Sequence, residues 1–174
     1  PPDAGKTLPV LGSALLVGAL IFTLKTTVID NIQSPVKHER FADGLEAGLQ
    51  TPLGFIFGGE VKLLGYDFDR PMVESGGTAH LTLYWQPASG VIGHDYNSAL
   101  YLRDSDGNLI AESTEFYPGG WATSNWVPGF YVRQAVDISV PPATAPGEYT
   151  LAAALYWPEA QKNLDAVDAS GNSL

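Results

Sequence analysis

Eighteen residues from Thr7 to Leu24 run without a charged side chain, and after Lys25 the apolar stretch continues to Ile29 before Asp30 ends it. As a helix rising about 1.5 Å per residue this covers roughly 27 to 34 Å, enough for a hydrocarbon core of about 30 Å. A segment this long and apolar all round fits a membrane span better than a buried soluble helix, which would need apolar neighbours on every side. A cleaved secretory signal is the other reading. No small-x-small site follows the apolar run, which passes into Leu24-Lys25-Thr26-Thr27-Val28, so an uncleaved anchor is expected. Pro9 falls in its first turn, where a missing N–H does little harm, and Lys25 can snorkel to the interface. Gly12, Ala14 and Gly18 give the span a face of small residues on which a neighbouring helix can approach closely.

The chain opens on Pro1-Pro2-Asp3, so a processed or partial product is expected. After the span comes a proline- and glycine-punctuated stretch with the charged cluster Lys37-His38-Glu39-Arg40. It reads as a juxtamembrane connector over residues 31–59, in which Phe41, Leu45 and Leu49 form a short turn lying on the membrane or on the following domain. From residue 60 the apolar period becomes two. Leu81, Leu83 and Trp85 fall on one face and His80, Thr82 and Tyr84 on the other. Likewise Tyr149, Leu151, Ala153, Leu155 and Trp157 share a face. Further strands are expected near 60–68, 96–103, 108–113 and 130–140, separated by Ser75-Gly76-Gly77, Asp104-Ser105-Asp106-Gly107, Pro128-Gly129 and the proline-rich run 141–147. With 13 prolines and 19 glycines marking turns, and no second helical pattern, the expected fold is mainly β. One N-terminal transmembrane helix (1–30) precedes the connector (31–59) and an antiparallel β-sandwich, immunoglobulin-like or jelly-roll-like, over 60–174.

Charge excludes one class of partner. After Arg40 the chain holds five basic and sixteen acidic residues, and the basic ones are scattered singly, so no patch faces a phosphate backbone and nucleic acid is rejected. The absence of cysteine removes disulfides, thiolate metal sites and a cysteine nucleophile. The three histidines, His38, His80 and His94, have no partner at a metal-ligand or catalytic spacing, and no nucleophile elbow, phosphate loop or dinucleotide fingerprint occurs. Asp104-Ser105-Asp106-Gly107-Asn108 resembles the opening of a calcium loop, but its glycine stands at the fourth position instead of the sixth, and a tight hairpin turn explains it better. Asp67 and Asp69 are two apart, the spacing of solvated strand-edge acids or of a carboxylate pair. No catalytic residue, cofactor or metal is expected. The candidate interaction surface is the aromatic loop, with Tyr117, Trp121 and Trp126 beside Thr123, Ser124 and Asn125; its rings either stack on a sugar or partner protein or plug the end of the sandwich.

Several runs carry a resemblance: Phe57-Gly58-Gly59-Glu60-Val61-Lys62-Leu63-Leu64-Gly65-Tyr66-Asp67, Leu81-Thr82-Leu83-Tyr84-Trp85, Thr123-Ser124-Asn125-Trp126-Val127-Pro128-Gly129, and Pro146-Gly147-Glu148-Tyr149 with Leu155-Tyr156. With them the chain resembles the extracytoplasmic C-terminal β-sandwich domain of bacterial dolichyl-phosphate-mannose-type glycosyltransferase-like membrane proteins. The resemblance implies a turn at 168–172 leading into a closing strand, and a sandwich on the extracytoplasmic side. It implies no transferase residue here, because the catalytic part of such proteins lies in their multi-span region.

The expected function is therefore a non-catalytic, membrane-anchored accessory subunit, partnered by the membrane and by other integral membrane subunits. A carbohydrate-binding module of a membrane glycosyltransferase is the alternative, and a hydrolase using carboxylates the third. One lysine before the span against Lys25, Lys37 and Arg40 after it would by itself put the sandwich in the cytoplasm. The resemblance outweighs so small a count, and the expected location is the cell membrane, single-pass, with the sandwich outside.

Overall fold

A computed structural model describes the backbone at residues 39–40 and the chain from 49 to 174. The expected span, and with it Gly12, Ala14 and Gly18, lies outside the described residues; among those described, no helix is long and apolar enough to cross a membrane. Residues Val36–Leu174 form one unit.

Among the described residues ten strands make two antiparallel sheets, a sandwich-like arrangement. In chain order they are β1 (Glu39–Arg40), β2 (Thr51–Phe57), β3 (Val61–Phe68), β4 (Thr78–Pro87), β5 (Asn97–Arg103), β6 (Leu109–Glu115), β7 (Phe130–Ser139), β8 (Thr150–Trp157), β9 (Lys162–Asn163) and β10 (Ala166–Val167). The first sheet runs β1-β7-β4-β3-β2-β10 and the second β6-β5-β8-β9. The chain changes sheet between β4 and β5, returns between β6 and β7, and leaves again for β8. At that last corner the Tyr149 hydroxyl donates to the Ala145 carbonyl at 2.5 Å, tying the proline-rich turn to the start of β8.

The alternation of β4 sets the core. Ala79, Leu81, Leu83 and Trp85 point inward with 0–6% exposure, and they meet Leu100 of β5, Leu155 of β8, and Val132, Val136 and Ile138 of β7. Packing Trp85 inward also requires a partner for its ring N–H. Its Nε1 donates to Gln134 Oε1 at 2.8 Å, and Gln134 Nε2 donates to Ser98 Oγ and to Glu115 Oε2, each at 2.7 Å. Strands β4 and β7 of one sheet are thereby joined to β5 and β6 of the other through side chains that are themselves buried, Gln134 at 3% and Ser98 at 4%.

Two sequence expectations need correction. The connector over 31–59 contains strand β2, which pairs with β3 from Thr51↔Tyr66 to Phe57↔Val61, so the sheet begins before residue 60. Its alternation is hidden because Gly54 takes φ +75° and the register shifts between Pro52 and Phe55. Gly65 on β3 makes the pairing possible: a Cβ there would collide with the Thr51 carbonyl and sit 2.9 Å from Pro52 Cα. Tyr84, expected on the open face, is buried against Leu64, Tyr131 and Leu49, because the outer face of the first sheet carries a small core of its own. The closing turn forms at 168–171, and Ser173 bridges Val167 just beyond it.

Trp85→Ala should lower unfolding free energy by about 3 to 5 kcal/mol, since it opens a cavity and strands the Gln134 amide. Leu155→Ala should cost about 2 to 5 kcal/mol. Denaturant titration of the chain followed by fluorescence checks both, and a loss below about half a kcal/mol would show that the faces are reversed.

Candidate functional site

Away from Gln134 the two sheets part. On the β2 and β8 side an open cleft of about 480 Å³ separates them, within the range of small-molecule sites. Its floor is core: Phe57, Leu63, Leu81, Leu83 and Leu100 are at most 5% exposed. Its walls are apolar side chains that remain half-buried, Leu53, Phe55 and Tyr66 from the first sheet and Leu151 and Ala153 from the second. The physical cause is volume. Strand β8 reads Leu151-Ala152-Ala153-Ala154-Leu155, and the methyl at Ala153 occupies an inward position where larger chains elsewhere close the gap. Asn163, Asp165 and Ser173 stand at the rim with Leu174, which is 63% exposed. Such a cleft suits an apolar group held by burial, with its polar residues confined to the rim. Its inward positions were legible in the period-two pattern, but that the opposing walls fail to meet was not.

The expected aromatic loop is divided. Trp126 lies in the core at 2% exposure, its ring N–H donating to the Trp121 carbonyl at 3.0 Å, so it presents no stacking face. Trp121 is half-buried against the same core, and Tyr117 is 38% exposed beside Phe116 at 80%. The polar residues expected to flank a ligand hold the loop instead. Thr123 is fully buried; its hydroxyl donates to the His94 carbonyl at 2.6 Å and accepts the Tyr96 N–H at 3.0 Å, while the Ser124 N–H donates to Asp95 Oδ1. Trp126 therefore leaves the interaction surface, because inward packing and a satisfied ring nitrogen stabilise it in the sandwich end.

A second aromatic group, missed in the sequence because its members are 63 residues apart, gathers at the surface. His94 and Trp157 pack in a tilted pair with centroids 4.2 Å apart, the Trp157 ring N–H donates to Glu159 Oε2 at 2.6 Å, and Lys162 Nζ sits 5.9 Å from the ring centre. Below it Tyr96 donates to Glu60 at 2.8 Å; burial first, and then that carboxylate, raise its phenol well above the ordinary range.

Of the acids singled out in the sequence, Asp67 and Asp104 have partners for their carboxylates. Asp67 accepts the Tyr84 hydroxyl at 2.6 Å and the Gln50 N–H at 2.9 Å, and burial followed by this carboxylate raises the Tyr84 phenol. Its expected companion Asp69 forms part of the backbone link to His80 at the strand end. Asp104 closes a turn: Oδ1 accepts the N–H groups of Asp106 and Asn108, and Oδ2 accepts the Asn108 side-chain amide. Asp168 repeats this arrangement with Ser170 and Asn172. The resemblance to a calcium loop thus has another cause, an aspartate receiving donors from its own turn. No group of three acids or histidines suited to a metal occurs among the described residues.

In both turns the asparagine side chain, followed by the backbone donors, holds the aspartate below the usual carboxylate range. A depressed folded value means that the stabilisation is present above the unfolded pKa and is lost as pH falls through the folded one. Amide and carboxyl NMR titrations should therefore show Asp104 and Asp168 protonating below the ordinary aspartate value, with Asn108 and Asn172 amides shifting together with them. Midpoints at the ordinary value would remove these turns as charge-stabilised elements.

Compared with protein-family models, curated proteins and solved structures, the chain matches none.

Proposed function

We propose that the protein is a non-catalytic, membrane-anchored accessory subunit whose extracytoplasmic sandwich docks on integral membrane partners. The observation that carries this reading is the cleft of about 480 Å³, an apolar surface that the described residues of the domain leave uncovered. Against a hydrolytic reading, the carboxylates of Asp67, Asp104 and Asp168 accept hydrogen bonds within turns and between strands. Strand order supports the immunoglobulin-like form of the fold over the jelly roll: β3-β4-β7 face β6-β5-β8-β9, and Tyr149 makes the hydrogen bond of a tyrosine corner. The span over residues 7–29, with Gly12, Ala14 and Gly18 as its packing face, supplies attachment and a second contact with the same partner. Tethering keeps the sandwich at high effective concentration beside that partner.

Carbohydrate binding is the second reading, and the cluster of His94, Trp157, Glu159 and Lys162 favours it, since an aromatic ring with an acid and a cation beside it suits a sugar.

The protein purified from its native membranes in mild detergent should bring integral membrane subunits in fixed proportion. Gly18→Leu and Ala153→Leu should each reduce the recovered partner, the first by obstructing helix approach and the second by filling the cleft. Ala153→Leu should also raise the melting temperature, as cavity filling does. Recovery of the chain alone, or saturable saccharide binding by calorimetry that Trp157→Ala abolishes while Gly18→Leu changes nothing, would replace this reading with the carbohydrate one.

A further inference from the structure

Sheet ends are the places where an extended segment can add, because an edge strand presents unpaired N–H and C=O groups. Among the described residues, three of the four sheet ends are two-residue strands, β1, β9 and β10, too short to template a long segment. The fourth is β6, seven residues from Leu109 to Glu115, paired on one side with β5.

The direction of its free backbone groups follows from the printed bonds. Asp104 N–H bonds the Asn108 carbonyl, so even-numbered residues of β5 face β6, and the registers Ser98↔Glu115, Leu100↔Ser113 and Leu102↔Ala111 turn the odd residues of β6 toward β5. The Leu164 N–H donating to the Leu155 carbonyl gives the same parity from the far side of the sheet, since it leaves even residues of β8 facing odd residues of β5. Glu112 and Thr114 therefore aim their backbone groups outward, away from β5, while Ile110 is the extra residue where the register shifts between Leu102 and Arg103.

Charge then selects the occupant. Glu112 is exposed in the middle of this edge; the acids lining the cleft of about 260 Å³ between β6 and β7 are already engaged, Glu115 by Gln134 and Asp137 by His80, so Glu112 is the charge this edge presents. A second copy fits badly, because antiparallel pairing over all seven residues sets Glu112 against Glu112. The outer edge of β7 past Tyr131 also lies open among the described residues, but it mixes Arg133 with Asp137 and continues directly from β1.

We infer that β6 is a strand-addition site for an extended segment of a partner protein carrying lysine or arginine at alternating positions. The inference deepens the accessory-subunit reading and rests on it for its setting, yet it uses a surface on the opposite side of the sandwich from the 480 Å³ cleft. Outward main-chain bonds supply affinity, and Glu112 favours a basic strand over an acidic one.

A blocked heptapeptide of alternating lysine and valine, titrated into the full chain in neutral detergent and read by fluorescence anisotropy, should bind saturably. Its glutamate–valine counterpart should not. Glu112→Lys should weaken binding about tenfold, and Thr114→Pro, which deletes an outward N–H and spares the β5 ladder, should abolish it. If Thr114→Pro fails to fold, the same peptide N-methylated along one edge decides the matter, since methylation removes strand pairing and keeps every charge. Ala153→Leu should leave peptide binding unchanged, so failure of the cleft and failure of this site are separable. Absence of saturable binding, equal binding of the methylated peptide, indifference to Glu112→Lys, or self-association of the chain through β6 would each overturn the inference.

Discussion

The buried amide of Gln134 is the constraint on which the rest of the sandwich depends. A side-chain amide at 3% exposure costs about 1 to 3 kcal/mol if any of its groups is left unpaired. Its donors and acceptor are met from three different strands: Trp85 of β4, Ser98 of β5 and Glu115 of β6. Those bonds can form together only when Trp85 points inward, and this fixes the faces of β4, hence Leu81 and Leu83, by strict alternation. They also hold β6 near β7 across the sheet gap, so the network sets sheet spacing on one side of the molecule.

The opposite side has no such tie among the described residues, and there the alanines of β8 face Leu53 and Phe55 across open space. One fold therefore carries two unlike margins. Where polar groups meet, hydrogen bonds tie the sheets together beside a strand edge with exposed backbone groups; where small apolar groups meet, the sheets part and leave a larger apolar cleft. Both margins suit recognition of another molecule, the first through main-chain hydrogen bonds and charge, the second through burial.

Acidic residues divide between these uses and the turns. Asp104 and Asp168 each gather two backbone N–H groups and an asparagine amide, so the same device closes the β5–β6 hairpin and the C-terminal turn. Asp67 and Glu60 anchor tyrosines, Tyr84 and Tyr96. Carboxylates tied in this way hold strands and loops in place, and Glu112 is the one among those named that the edge of β6 leaves at the surface for a partner.

By itself the sequence determined the class of the folded domain and much of its core, because period-two alternation is a local property: Leu81, Leu83, Trp85 and Leu155 could be assigned to an inner face without knowing what they meet. The turn at Asp104–Gly107 was legible for the same reason, since Asp-Gly between two strands is local turn chemistry, whereas the turn at 168–172 was implied only by the family resemblance. Strand β2 was not legible, as a left-handed glycine and a bulge break its alternation, and its pairing depends on Gly65 fourteen residues on from Thr51. Only the tertiary structure could place Trp126 inside and set Trp157 beside His94, because each depends on contacts distant in the chain: Trp126 joins a core drawn from both sheets, and Trp157, half-buried against that core, meets His94 at its outer side. The cleft and the open edge likewise belong to no segment. A gap is the volume that two sheets fail to fill, and an edge is a strand beside which no other lies, so both exist only once every strand has found its neighbours.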